Sequence, residues 1–201
     1  MVDRVSRRDG RDPVLALLLI DLQNAYFEFP ELAECQDELL ERANELIAVA
    51  KDAGRPVVLV RTQHERDRST WTISMLDDGQ GFAFPGTEQA AYLEGLDTDG
   101  TVDVVKTRDN AFHATDLDER LHEAGVTHVL VGGVSTHSCV SETATAAFAH
   151  DLRVAIAKDT MASDDPDLSK AMLEFLTDEL RQPILDQQQS LRLLRDGPDA
   201  M

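Results

Sequence analysis

The segment Val14-Leu15-Ala16-Leu17-Leu18-Leu19-Ile20 is an unbroken apolar run that stops at Asp21. A run of this length is too short for an independent helix and is typical of a strand that is covered on both faces. Between Pro30 and Ala53, apolar residues recur at helical spacing and end before Gly54, which predicts an amphipathic helix with a glycine stop. A second strand over residues 56–60 then completes a β-α-β unit.

The same alternation continues along the rest of the chain. It predicts further strands over residues 101–105, 128–131, 153–157 and 184–185, and further helices over residues 116–124, 138–150 and 167–180. Because parallel neighbouring strands need crossover connections, the pattern indicates a three-layer α/β/α fold with a mostly parallel sheet of about six strands. Residues 61–87 form a long irregular stretch, of the kind that is usually functional or mobile, and the residues after 185 are interpreted as a tail.

The composition indicates one folded domain with an excess of acidic residues. The 201 residues include 19 Lys and Arg against 38 Asp and Glu, which gives a formal net charge of -19, and 42% of the residues are hydrophobic. We predict a flexible arm over residues 1–12 and a single domain over residues 13–201. The acidic charge argues against nucleic acid and anionic membrane surfaces as partners and leaves a small molecule as the expected one.

Two further features bear on the location of the protein. The first apolar run follows four arginines and has a passing likeness to a secretory signal, but no small-residue cleavage pattern follows Asp21. No apolar run approaches the roughly 20 residues that span a bilayer. Cys35 and Cys139 are isolated cysteines in a domain of ordinary size, and such cysteines usually stay reduced. These observations predict a cytoplasmic protein.

Residues that can carry chemistry lie at the ends of three predicted strands. Asp21 follows the first strand, Lys106 the third, and Cys139 the glycine-led turn after the fourth. Ligands of open α/β sheets bind beyond the carboxyl ends of the strands, so these side chains are expected to meet. Cys139 lies at the start of a predicted helix, where free N–H groups and a nearby ammonium would favour the thiolate. Asp21 could then exchange protons with the thiol, and Lys106 could hold both charges in place.

Each of these residues also has a simpler interpretation. Cys139 could be a core residue, Asp21 a helix cap, and Lys106 a solvated strand end. The residues Gly133-Val134-Ser135 begin like the nucleophile elbow of a serine hydrolase, but the second glycine of that motif is absent. Neither of the common glycine-rich nucleotide-binding motifs occurs. A catalytically silent binding or scaffold protein remains a third possibility.

Three segments carry a family resemblance. They are Leu19-Ile20-Asp21-Leu22-Gln23-Asn24-Ala25-Tyr26, then Val105-Lys106 with Asn110-Ala111-Phe112 and Thr115-Asp116-Leu117, and last Gly133-Val134-Ser135-Thr136-His137-Ser138-Cys139-Val140. In order and spacing they resemble the signatures of the isochorismatase-like cysteine hydrolases, the superfamily of isochorismatase, nicotinamidase and N-carbamoylsarcosine amidohydrolase. The resemblance extends from Val14 to about Leu194.

The resemblance implies a specific catalytic centre. Asp21, Lys106 and Cys139 would form a triad in which the cysteine attacks an amide, carbamoyl or related C–N bond and forms a thioester-type intermediate. A cis peptide between Val134 and Ser135 would turn the backbone N–H groups of Ser135 and Cys139 into an oxyanion hole. The resemblance also implies a homo-oligomer, a dimer or a tetramer. We expect no cofactor.

The sequence departs from the family pattern at positions that concern a metal site. Nicotinamidases of this family carry an Asp and two His after the second strand, whereas this chain reads Thr62-Gln63-His64-Glu65-Arg66-Asp67. His64 with Glu65 or Asp67 could bind an adventitious ion, but we expect no bound metal and interpret His64 as a surface residue. The isochorismatase branch cleaves a vinyl ether and does not require the cysteine. The presence of Cys139 thus favours C–N hydrolysis and leaves vinyl ether hydrolysis as the alternative.

Six further residues near the predicted strand ends are candidates for substrate binding. For the aromatic ones a core position is at least as well supported, and Arg61, which could recognise a carboxylate, could equally be solvated. Gln23 could orient Asp21 or a water molecule. The candidates are Gln23, Tyr26, Arg61, Trp71, Phe112 and His137.

Overall fold

A six-stranded parallel sheet lies at the centre of the protein in a computed structural model, which describes residues 13–198. The strands are β1 (Val14–Ile20), β2 (Val57–Thr62), β3 (Val102–Lys106), β4 (Val126–Val134), β5 (Arg153–Ala162) and β6 (Ile184–Leu185). Their order is β3-β2-β1-β4-β5-β6, and every neighbouring pair is parallel. The predicted fold is confirmed. The predicted arm over residues 1–12 lies outside the described residues.

Helices cover both faces of the sheet. They are α1 (Pro30–Ala33), α2 (Gln36–Asp52), α3 (Ile73–Asp78), α4 (Leu117–Glu123), α5 (Ser141–Ala149), α6 (Pro166–Asp178) and α7 (Gln187–Asp196). The helices α1, α2 and α7 pack on one face, and α4, α5 and α6 pack on the other. The central strand β1 is therefore buried from both sides, as its apolar sequence predicts. None of the helices in the described part of the chain is both long and apolar enough to cross a membrane.

Two helix boundaries differ from the sequence prediction, and two helices were not predicted. The helix predicted over residues 30–53 is interrupted at Cys35, whose backbone is not helical. The short helix α3 lies inside the stretch predicted to be irregular. A π-helical turn over Thr136–Val140 precedes α5, so the helix predicted over residues 138–150 begins late. The helix α7 was missed, although Asp186 and Gln189 form a capping box that marks its start.

The strand register aligns the residues that matter for the site. Ile20 at the end of β1 pairs with Val60 of β2 on one side and with Gly133 of β4 on the other. Thr62 at the end of β2 pairs with Lys106 at the end of β3. The carboxyl ends of four neighbouring strands thus meet at one edge, and the residues that follow them are brought together there.

Gly133 permits the close approach of β4 to β1. Its φ angle is +116°, and a Cβ atom built there would lie 2.0 Å from the carbonyl oxygen of Ile20. We expect Gly133→Ala to lose about 3 kcal/mol or more of unfolding free energy, because backbone strain and overpacking add. For a domain of this size that corresponds to a fall in Tm of roughly 6–12 °C.

Thermal unfolding followed by circular dichroism measures this loss, and Gly125→Ala is the matched control. Gly125 also has a positive φ angle, +67°, but apart from its chain neighbours no atom of residues 13–198 would lie within 4 Å of a Cβ atom placed on it. The control should therefore lose only the backbone strain, about 1–2 kcal/mol. Equal losses in the two variants would contradict the role given to the contact with Ile20.

Candidate active site

Asp21, Lys106 and Cys139 meet in a buried cluster at the carboxyl edge of the sheet. The Lys106 Nζ atom lies 2.7 Å from Asp21 Oδ2 and 3.3 Å from Cys139 Sγ. The exposed fractions of the three residues are 0% for Asp21, 1% for Lys106 and 3% for Cys139. Asp21 directly follows β1, Lys106 is the last residue of β3, and Cys139 lies in the π-helical turn after β4. The structure thus brings together the three residues that the sequence singled out.

Thr62 links these side chains because β2 lies between the strands that carry Asp21 and Lys106. Its hydroxyl donates to Asp21 Oδ1 at 3.0 Å and accepts from Lys106 Nζ at 2.8 Å. The hydroxyl of Tyr26 donates to Thr62 Oγ1 as well, at 3.0 Å. Sequence reasoning missed Thr62 because it ended β2 at Val60. The available signal was the alternation of side chains along a strand. Thr62 lies two residues after the buried Val60, so its side chain points to the same face of the sheet.

Gln23 holds this arrangement from behind. Its side-chain oxygen accepts from the backbone N–H of Thr62 at 2.7 Å, and its amide nitrogen donates to the carbonyls of Thr62 at 3.0 Å and Ala90 at 2.9 Å. The residue is completely buried. Because both amide protons are used by backbone carbonyls, Gln23 fixes the end of β2 and does not donate to a substrate.

The turn that carries Cys139 starts at Ser135. The peptide bond between Val134 and Ser135 is cis. The carbonyl of Ser135 accepts from the backbone N–H groups of Ser138 and Val140, both at 3.2 Å. A further hydrogen bond closes the turn, because the hydroxyl of Ser141 donates to the carbonyl of Thr136 at 2.5 Å. These bonds fix the backbone on both sides of Cys139.

The electrostatics of the cluster differ from the expectation of a preformed thiolate. Burial raises the pKa of the Cys139 thiol well above its ordinary value, and the charge of Asp21 raises it further, whereas Lys106 lowers it. Burial alone would lower the pKa of Lys106, but the charges of Asp21 and Cys139 outweigh burial and raise it. Lys106 is therefore an ammonium, and the thiol is protonated in the free protein. A base must remove its proton when it reacts.

We expect the alkylation rate of Cys139 by iodoacetamide to keep rising as the pH is increased beyond about 8.5, the ordinary pKa of a thiol. The sign follows from the raised pKa, because only the thiolate reacts and its fraction grows until the pH exceeds that pKa. Mass spectrometry of a Cys35→Ser variant, in which Cys139 is the remaining thiol, gives the rate. A rate that reaches its plateau below the ordinary pKa would contradict this assignment.

Asp109 is a further residue of the cluster that sequence reasoning missed. It lies in the loop between β3 and α4, and the Cys139 thiol donates to its Oδ1 at 3.6 Å. Asp109 is exposed, whereas Cys139 is buried. The signal in the sequence was its place between Lys106 and Asn110, inside the second of the three segments that resemble a known family.

Comparison with known proteins identifies the family. A family model described as the isochorismatase domain matches residues 15–188 of the chain. The chain belongs to the isochorismatase family. Maleamate amidohydrolase of Pseudomonas putida is 30% identical over 195 residues, which cover 92% of this chain and 88% of that one. A relative named "Probable inactive nicotinamidase" from Arabidopsis thaliana is 27% identical and covers 78% of this chain and 84% of its own length.

A solved structure extends the likeness to the fold. An isochorismatase family protein from Desulfovibrio vulgaris superposes with a TM-score of 0.77 at 28% identity and covers 88% of this chain and 96% of that one. The resemblance inferred from the three sequence segments is thus confirmed, and the family includes hydrolases that act on amides.

The donors of this isochorismatase-family chain do not fit a metal site. Among residues 13–198, no group of three or more His, Cys, Asp and Glu side chains could hold an ion. The interpretation of His64 as a surface residue is wrong, since it is only 2% exposed. Its Nδ1 lies 3.1 Å from the carbonyl oxygen of Thr70, which leaves one ring nitrogen in a buried position. The described side chains thus do not offer the three or more ligands that a bound metal ion needs.

Two of the predicted substrate-binding residues lie outside the cluster. Arg61 has the opposite parity to Thr62 on β2, and its guanidinium forms two hydrogen bonds to the carboxylate of Asp103, at 2.9 and 2.8 Å. This ion pair lies on the other face of the sheet, so Arg61 does not recognise a substrate carboxylate in the cluster. Phe112 is buried and stacks on His150, at the opposite end of α5 from Cys139, with ring centroids 4.7 Å apart.

The other aromatic candidates differ in their relation to the cluster. Tyr26 joins it through Thr62. Trp71 is buried, and its indole N–H donates to the carbonyl of Glu65 at 2.8 Å, so its polar atom is occupied by its own loop. His137 lies in the same turn as Cys139 and is half-buried, with its Nδ1 2.6 Å from Ser163 Oγ. Of Trp71 and His137, the histidine has the better position for a contact with substrate.

Proposed function

We propose that this protein is a cysteine hydrolase that cleaves a C–N bond of a small amide or carbamoyl compound through a covalent thioester on Cys139. The observation that carries the proposal is the buried cluster in which Lys106 Nζ contacts both Asp21 and the Cys139 sulfur. A lysine and an aspartate that are both fully buried beside a thiol have little use in packing alone, because burying charges is costly.

In the proposed first step, Asp21 accepts the proton of the Cys139 thiol while the sulfur attacks the carbonyl carbon. The C–S bond forms as the carbonyl π electrons move to oxygen, and the tetrahedral intermediate then expels the amine, which takes up the proton from Asp21. The products of this step are a thioester on Cys139 and a free amine. Lys106 stays an ammonium and stabilises first the carboxylate and then the developing thiolate.

In the second step, water attacks the thioester carbon and gives up a proton to Asp21. The C–S bond breaks, the acid leaves, and the proton returns to the Cys139 sulfur, so the cluster is restored. We assign the oxyanion that forms in both steps to the backbone N–H groups of Ser135 and Cys139. Thr62, held by Gln23 and by the Tyr26 hydroxyl, fixes the Asp21 carboxylate in position for the proton transfers.

A turnover screen tests the proposed function. Small amides, ureas and carbamoyl compounds are incubated with the protein, the released amine or ammonia is measured, and Cys139→Ser serves as the blank. Intact-protein mass spectrometry during turnover should show an acyl adduct on Cys139. Release of a carbonyl compound from a vinyl ether at equal rates in both proteins would instead favour the isochorismatase-type alternative. Absence of turnover on every compound class would favour a silent binding protein.

We further propose that the protein acts in the cytoplasm as a homo-oligomer. The first part is supported by its cysteines, both of which are free, and the second by the family resemblance alone.

A further inference from the structure

Asp109 lies on the solvent side of the proposed nucleophile. Its Oδ1 atom accepts a hydrogen bond from the Cys139 thiol at 3.6 Å. Asp109 is exposed to solvent, whereas Cys139 is only 3% exposed. The other two charged residues of the cluster, Asp21 and Lys106, are completely buried. The Asp109 carboxylate is therefore both in contact with the sulfur and open to solvent.

The charge of Asp109 is not balanced by the protein in the way that the charge of Asp21 is. Asp21 is paired with Lys106 at 2.7 Å. Asp109, by contrast, takes part in none of the ion pairs between described residues. Its neighbour Arg108 is directed elsewhere, because its guanidinium donates to the carbonyls of Thr70 at 2.7 Å and Thr107 at 2.6 Å.

A second carboxylate adds to this negative charge. Glu142, in the first turn of α5, is exposed and likewise takes part in none of the ion pairs within residues 13–198. Partial burial raises the pKa of Glu142, and the charge of Asp109 raises it further, whereas Lys106 lowers it. Glu142 follows Cys139 by three residues in the chain, so a second carboxylate adds to the acidic charge near the turn.

We propose that Asp109 makes the site selective for substrates that carry a positive charge, an ammonium or amidinium group, close to the scissile C–N bond. This inference rests on the proposed function for its chemistry and on the contact between Asp109 and Cys139 for its geometry. A cation bound at Asp109 would supply the ion pair that this carboxylate lacks within the described chain and would favour the thiolate beside it. An anionic substrate would meet repulsion at the same point.

Alkylating reagents of different charge test the inference without requiring turnover. In the Cys35→Ser background, Cys139 is alkylated with 2-bromoethylamine as the cation, iodoacetamide as the neutral reagent and iodoacetate as the anion, and each rate is divided by that of free cysteine at the same pH. We expect the cation-to-anion ratio to exceed one by about 10- to 100-fold, the range of a charge-assisted hydrogen bond. Any change in the thiol pKa cancels in this ratio.

Asp109→Asn should lower that ratio by at least about tenfold. Asp109→Glu, which keeps the charge, should restore part of it, whereas a purely structural role would make the Glu variant as poor as the Asn variant. Asp52→Asn is the matched control, because it removes the same charge at the end of α2, on the other face of the sheet, and should leave the ratio at the wild-type value. An equal ratio in wild type and Asp109→Asn would overturn the inference.

Turnover of three small amides that differ in charge completes the test. We expect kcat/KM to fall in the order 3-aminopropionamide, butyramide and succinamate for the wild type, and Asp109→Asn should lower the ratio of the first value to the last by at least about tenfold. If Asp109 instead served as the base for Cys139, its removal would abolish turnover of butyramide as well, which would overturn the inference. If none of the three amides is hydrolysed, the proposed function is weakened, and the alkylation ratio still decides the role of Asp109.

Discussion

Cys139→Ser lowers the turnover of any amide substrate by about 10³-fold or more while the protein remains folded. The change replaces one atom in a residue that is 3% exposed, so the packing of the turn is kept. A serine hydroxyl in the same place is a far weaker nucleophile than a thiol, because its proton is much harder to remove. The released amine or ammonia is measured over time, and circular dichroism verifies the fold.

The matched control for this variant is Cys35→Ser. Cys35 lies between α1 and α2, and its thiol donates to the carbonyl oxygens of Glu31 at 3.9 Å and Leu32 at 3.3 Å. This variant should keep wild-type turnover and should still form the acyl adduct. If Cys139→Ser retained more than about a tenth of the wild-type rate on an amide, the covalent mechanism would be wrong.

Lys106→Met is expected to damage both turnover and stability. The methionine side chain has a similar length, but it removes the ammonium and leaves the Asp21 carboxylate buried at 0% exposure without its partner. Breaking a buried ion pair from one side costs about 3–5 kcal/mol. We expect urea unfolding to show a loss of that size and turnover to fall by about 10²-fold or more, because the developing thiolate loses its charge partner.

Two comparisons separate these effects from a general loss of packing. Lys170→Met removes an exposed lysine whose side chain is 77% exposed, and it should change stability by less than about 0.5 kcal/mol. The double variant Asp21→Asn with Lys106→Met removes both charges, so it should be more stable than Lys106→Met alone but equally inactive. A Lys106→Met protein with turnover within about threefold of wild type would remove Lys106 from the proposed mechanism.

The sequence predicts the parts of the site that depend on strand ends. A run such as Val14–Ile20 identifies a buried parallel strand, and parallel strands place their last residues at one edge, so Asp21, Lys106 and Cys139 could be expected to converge. Thr62 was missed because moving the end of β2 by two residues changes which side chains reach that edge. Arg61 was misplaced for the related reason that adjacent residues of a strand face opposite sides of the sheet.

Other features depended on tertiary contacts that no local pattern reports. His64 is buried because the loop after β2 folds back over it, and its ring packs 5.5 Å from that of Phe82. The state of the Cys139 thiol depends on burial and on Asp21 more than on its position near a helix start. The contact of the exposed Asp109 with Cys139 Sγ depends on the path of the loop between β3 and α4.

The place of Thr62 between Asp21 and Lys106 has a consequence for how the chain acquires activity. The hydrogen bonds that join Thr62 to Asp21, Thr62 to Lys106 and Lys106 to Cys139 span 41, 44 and 33 residues of chain. Such distant contacts form late when a polypeptide folds, after the local β-α units have gained their secondary structure. During refolding, helical ellipticity should therefore recover before catalysis, and regained turnover would report the moment at which the whole sheet is assembled.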